Sequence, residues 1–208
     1  MGICPKNEQN HPPISFLLKL SSSICKISFN DSLKEGTGFF INFFPDNSFK
    51  CLITEYNLIS EKNKDIQLEI HNRNNIKLVL DRSIRFIKFF KLPLDITVIQ
   101  ILNEDLELMK NVSFLDYDKN YIDGYSQYKN EKIFSLGYPS GDELEDGNGK
   151  ILTAETSNFY FEHNIPNNKG SVGSPIFLLS SSKLIGVYRS NQNQGIFIGI
   201  IVDIMKKY

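Results

Sequence analysis

The stretch Gly170-Ser171-Val172-Gly173-Ser174-Pro175 sets two hydroxyls among glycines, directly ahead of the apolar run 176–179. Glycine and proline at this density mark a tight turn. A serine hydroxyl held in such a turn can attack a carbonyl, provided a base stands close enough to take its proton. The bases are scarce. His11 lies in a polar opening segment, His71 at the end of an apolar run, and His163 nine residues before Val172. Ser171 and Ser174 flank Val172, and in a tight turn their side chains are expected to point away from a base placed for residue 172. The scattered histidines, with Cys4, Cys25 and Cys51, lack the paired spacing of a metal site. No metal or other cofactor is expected. Gly147-Asn148-Gly149 and Gly137-Tyr138-Pro139 read as turns between strands, not as a phosphate-binding loop.

The elements that must position these residues are short and β-like. One series of apolar runs covers 24–29, 37–43, 49–54, 66–70, 76–80, 84–90 and 96–101. A second covers 133–136, 151–156, 159–163, 176–179, 184–188 and 196–200. Strict alternation in Ile66-Gln67-Leu68-Glu69-Ile70 and Ile76-Lys77-Leu78-Val79-Leu80 is the pattern of strands with one face buried. Between the series, 103–130 is rich in Asp, Asn and Tyr and reads as a connector with some local structure. Helical pattern is confined to one turn at 57–60 and a terminal helix at 201–207, whose lysines suit the negative end of the helix dipole. This pattern predicts an all-β fold: two antiparallel six-stranded barrels and a short C-terminal helix. The expected boundaries are a tail at 1–13 and one domain at 14–208. Within that domain the first barrel spans about 20–102, the connector about 103–130, the second barrel about 131–200 and the helix about 201–207.

Bulk properties narrow the function. The 208 residues carry a net charge of −1, which gives no electrostatic reason to expect nucleic acid as a partner. An odd, low cysteine count argues against a secreted disulfide framework. Cys25 and Cys51 are expected as small buried apolar groups, with a single bridge between them as the alternative. No stretch approaches the length needed to span a bilayer. The run 14–18 is too short for a signal peptide and is followed by Lys19, so an intracellular location is expected. Met1-Gly2-Ile3-Cys4 has the form of a dual-acylation start, although Lys6 replaces the usual Ser or Thr. Acylation at Gly2 and Cys4 would add membrane association, since two chains anchor where one does not.

Four segments, in order, carry a resemblance to trypsin-like serine peptidases. Gly36-Thr37-Gly38-Phe39-Phe40-Ile41 resembles the strand that precedes the catalytic histidine. Thr54-Glu55-Tyr56-Asn57-Leu58-Ile59 resembles the histidine segment. Leu94-Asp95-Ile96-Thr97-Val98 resembles the aspartate strand, and 170–175 resembles the nucleophile turn.

The resemblance implies a two-barrel fold and assigns roles by position. Asp95 takes the aspartate position, Asn57 the histidine position and Val172 the serine position. The triad needs a hydroxyl that attacks, an imidazole that takes its proton, and a carboxylate that orients the imidazole. An amide does not titrate near neutral pH, and valine has no nucleophile. The family's oxyanion hole is built from backbone N–H groups, here those of Gly170 and Val172, and backbone donors do not depend on side-chain identity. The resemblance also puts His163 beside the primary specificity pocket, and Gly186, Val187 and Tyr188 on the strand that pairs with substrate. Asp95, lacking a histidine, is expected to accept a hydrogen bond from Asn57. The expectation is a protease homologue without catalysis that binds an extended peptide or a protein partner. The alternative is an endopeptidase using another pair, such as Ser174 with His163.

Overall fold

The computed structural model describes residues 11–30, 32–44, 49–70, 75–139, 143–155, 159–166, 172–189 and 193–208. Gly2, Cys4, His71 and Gly170 lie outside them.

Seven strands build the first sheet: β1 Ile24–Phe29, β2 Ser32–Asn42, β3 Lys50–Glu55, β4 Asp65–Glu69, β5 Ile76–Val79, β6 Ile87–Phe90 and β7 Ile96–Gln100. They curl in the order β5-β4-β1-β2-β3-β7-β6, all antiparallel. Six more make the second unit: β8 Lys132–Gly137, β9 Glu145–Ala154, β10 Tyr160–His163, β11 Pro175–Leu178, β12 Leu184–Arg189 and β13 Gln194–Phe197. These close into a barrel in the order β10-β13-β12-β11-β8-β9. The expected double-barrel architecture is present, with one difference of detail. The first unit has seven strands, and its edge strands β5 and β6 each pair with a single neighbour among the described residues.

Alternation along β2 explains how the two units join. Phe40 points into a core with Cys25, Ile27, Leu52, Ile66, Leu68 and Ile99. Phe39, Ile41 and Phe43 point the other way, into a second core shared with Phe134, Ile176, Phe177 and Val187 of the barrel. Side chains two apart on a strand share a face, so one strand serves both cores. Cys25 and Cys51 are free and buried, which removes the bridge between them.

Helices frame the strands. The run 14–18, read above only as a failed signal sequence, opens helix α1, Ile14–Ser21, whose Phe16 packs edge-on against Phe134. The connector holds α2, Leu106–Asn111, and two 3-10 turns at Lys119–Asp123 and Tyr125–Tyr128. Its tyrosines are there to be buried: Tyr121, Tyr125 and Tyr128 pack in succession, with Tyr125 stacked 4.1 Å from Phe197. Arg85, just before β6, clamps Asp105 of the connector through two 2.9 Å hydrogen bonds. The terminal helix α3 is Ile198–Met205, three residues earlier than expected. The run 196–200 is therefore a strand only as far as Phe197. Its continuous apolar character fits a buried helix as well as a strand, and period alone cannot separate the two. Among the described residues no helix is long and apolar enough to cross a membrane.

Candidate functional site

Three strand ends and one turn meet where the two units touch. β3 ends at Glu55 and runs into the turn that carries Asn57; β7 begins one residue after Asp95. Their register pairs Glu55 with Ile96, and the Tyr56 N–H donates to the Asp95 carbonyl at 3.0 Å. Asp95 is buried and has φ +56°, a left-handed conformation that aspartate tolerates better than most residues. From the other unit comes the turn Val172-Gly173-Ser174. Gly173 has φ +83°, and a Cβ there would lie 2.6 Å from the Thr37 carbonyl and 3.0 Å from the Glu55 nitrogen. The close approach needs glycine, and it presses the turn against the strand that leads to Asn57.

The electrostatics centre on two carboxylates. Burial and the nearby Asp95 charge push the Glu55 carboxyl above its ordinary range, against the Asn57 side chain and the Lys34 charge. Burial likewise raises Asp95, with Arg189 opposing. Asn57 is exposed; its amide is hydrogen-bonded to Glu55, and its carbonyl accepts from Lys34 Nζ at 2.8 Å. The expected Asn57–Asp95 bond is thus replaced by a local one, two residues away in sequence. No sequence motif marked Glu55, because its part depends on a strand register that spacing does not reveal.

Val172 is half-buried in the turn. The Gly173 N–H donates to the Tyr188 carbonyl at 2.9 Å, and the Tyr188 N–H returns a bond to Ser174 O at 2.8 Å. These bonds correct the expected peptide edge. Gly186, Val187 and Tyr188 sit inside the closed barrel, between β11 and β13. Tyr188 spends both backbone groups on the turn, and Gly186 and Val187 have a strand on either side. The edge opens only at Arg189, which pairs with Gln194 of β13 and lies beyond the start of β11.

His163 is also not where the resemblance put it. It is fully buried, packed against Phe161 and edge-on to Tyr188 with ring centroids 4.8 Å apart. The Ile165 N–H donates to Nδ1 at 3.2 Å, which leaves the ring proton on Nε2. Nε2 makes no hydrogen bond. Burial pulls the pKa down to about 4, and the Gln194 carbonyl, near but out of hydrogen-bond geometry, opposes this only slightly. Ser174 Oγ is buried without a partner as well. Ser174 and His163 are therefore not joined as nucleophile and base. Among the described residues no group of His, Cys, Asp and Glu could hold a metal ion.

A closed six-stranded barrel, a curled sheet joined to it through a shared core, and strand ends converging on a glycine turn define the trypsin-like double-barrel fold. The sequence matches no family model and no curated protein. Solved structures do match. Rv3671c from M. tuberculosis H37Rv, as an inactive serine-to-alanine mutant, is 15% identical with a TM-score of 0.65, over 100% of this chain and 95% of that one. A serine endoprotease from Yersinia pestis is 12% identical with a TM-score of 0.68, over 93% of this chain and 65% of its own. Deg5 is 18% identical with a TM-score of 0.64, over 97% and 94%. At these identities the likeness establishes the fold.

Proposed function

We propose that this chain is a catalytically degenerate protease-fold module that holds an extended peptide or protein segment without cleaving it. The carrying observation is the pair of residues at the chemical positions: Asn57 where a base is required and Val172 where a nucleophile is required. Loss of either group alone costs about 10⁶ in rate, and the losses are not additive. The other hydroxyl in the turn gives no substitute, since Ser174 is buried and unpartnered. Recognition would use backbone groups: an oxyanion-type donor at Val172, and a strand edge that opens at Arg189, to which a peptide adds as a further strand.

The test is incubation with a diverse peptide library, read by mass spectrometry, alongside a fluorophosphonate probe. The expected result is intact peptides, an unlabelled protein and retained binding of some sequences. Cleavage that disappears in Asp95→Ala, or stoichiometric labelling of any serine, would overturn the reading.

A further inference from the structure

A cavity of about 80 Å³ opens beside the turn, and nothing in the proposed backbone recognition uses it. Its buried lining includes Tyr188, Ile165 and Ser174; its exposed lining includes Glu145 and Asp146 of β9. The mouth is therefore acidic and the depth apolar, apart from one hydroxyl. Ser174 is 1% exposed and its Oγ has no hydrogen-bond partner. Gly137, also in the lining, leaves room for it: a Cβ at 137 would fall 2.0 Å from that oxygen. An unsatisfied hydroxyl buried in a pocket calls for a ligand or a water. Two carboxylates at the entrance favour a cation over a neutral group.

We propose that this cavity is a primary-amine site that takes the ammonium group of a lysine side chain. The ammonium is a compact charge on a flexible four-carbon stem. The stem suits the Tyr188 and Ile165 walls, and the charge meets the Ser174 oxygen with the Glu145 and Asp146 carboxylates nearby. Arginine fits less well, because five planar donors find one hydroxyl at the floor. Asp146 already accepts from Asn148 Nδ2 at 2.9 Å and lies 3.7 Å from the His11 ring. Its second oxygen and the Glu145 carboxylate face the mouth charge together. The site rests on the peptide-binding reading only for the molecule that carries the amine.

The probe is n-butylammonium, titrated into the full chain and followed by amide NMR, with neutral n-butanol as its control. Saturable shifts at Gly137 and Tyr188 are expected, with the amine binding at least about tenfold more tightly than the alcohol, as for a hydrogen bond to a charged group. Ser174→Ala should weaken the amine about tenfold on the same ground, while leaving thermal unfolding unchanged because the hydroxyl lost has no partner. Asp146→Asn, at the surface, should weaken it severalfold without touching the floor. Equal binding of alcohol and amine, or binding that survives both substitutions, overturns the site. So does no binding of either probe, which would mean the cavity holds water alone. If the amine fails while extended peptides still bind, the cavity assignment falls and the peptide-binding reading stands. If peptides also fail, that reading falls on its own evidence.

Discussion

His163 sits where a neutral ring suits the barrel and a charged ring does not. Its native pKa is near 4, against 6.5 for an ordinary histidine. The direction of the pH effect follows. Between these values the unfolded chain binds a proton that the folded chain refuses, so stability falls as the pH drops from 6.5 and levels off below 4. The contribution present above pH 6.5 and lost by pH 4 is about 3 kcal/mol at one pKa unit per 1.36 kcal/mol. His163→Leu should flatten this part of the profile. Urea unfolding of both proteins at pH 7 and pH 4 checks it: an equal loss in both would remove His163 as the cause. A catalytic base would titrate near neutrality, so the same measurement bears on the idle pairing of His163 with Ser174. Glu55 behaves in the opposite sense, since its raised carboxyl is best accommodated when protonated.

At the scale of elements, β2 is the hinge piece of the design. Thr37 is fully buried, and its carbonyl accepts from Thr54 Oγ1 at 2.7 Å while its hydroxyl accepts from the Tyr138 N–H at 2.8 Å. One residue thus holds β3 on one side and the end of β8 on the other. Thr37→Val keeps the shape and strands a buried N–H, at a cost of about 1–3 kcal/mol. Thr37→Ser keeps the hydroxyl and should lose less. Thermal melts of the pair decide it; equal losses would mean that packing of the methyl, not the bond, matters. The strands themselves were legible because alternation and turn residues set local constraints. Ile66–Ile70 and Ile76–Leu80 alternate as they do because one face of each is buried. Helix α1 was not legible: Ile14-Ser15-Phe16-Leu17-Leu18 has too few residues to show a helical period, and its fate is decided by Phe16 meeting Phe134. The site divides the same way. Asn57, Asp95 and Val172 stand out by spacing, whereas Glu55 and the saturation of Gly186 to Tyr188 depend on which strands become neighbours.

The two units fold as one molecule because their largest core belongs to both. Leu115 of the connector binds back to β2 through the Asn42 N–H and the Phe40 carbonyl, while Asp118 binds Leu184 of β12. Neither unit buries its apolar faces alone, so unfolding should be a single transition with equal calorimetric and van't Hoff enthalpies. Two separate heat-capacity peaks would contradict this. The free cysteines give that expectation a second reading. Cys25 lies in the core of the first unit, and Cys51 lies in the core common to both. Burial pushes both thiols well above their ordinary range, and alkylating agents react with the thiolate. The chain thus carries one sealed chemical clock in each core. In a Cys4→Ser background, iodoacetamide modification of the two should advance at a common rate set by opening of the whole molecule. A Cys25 that reacts first would show the outer sheet peeling away while the shared core stays shut.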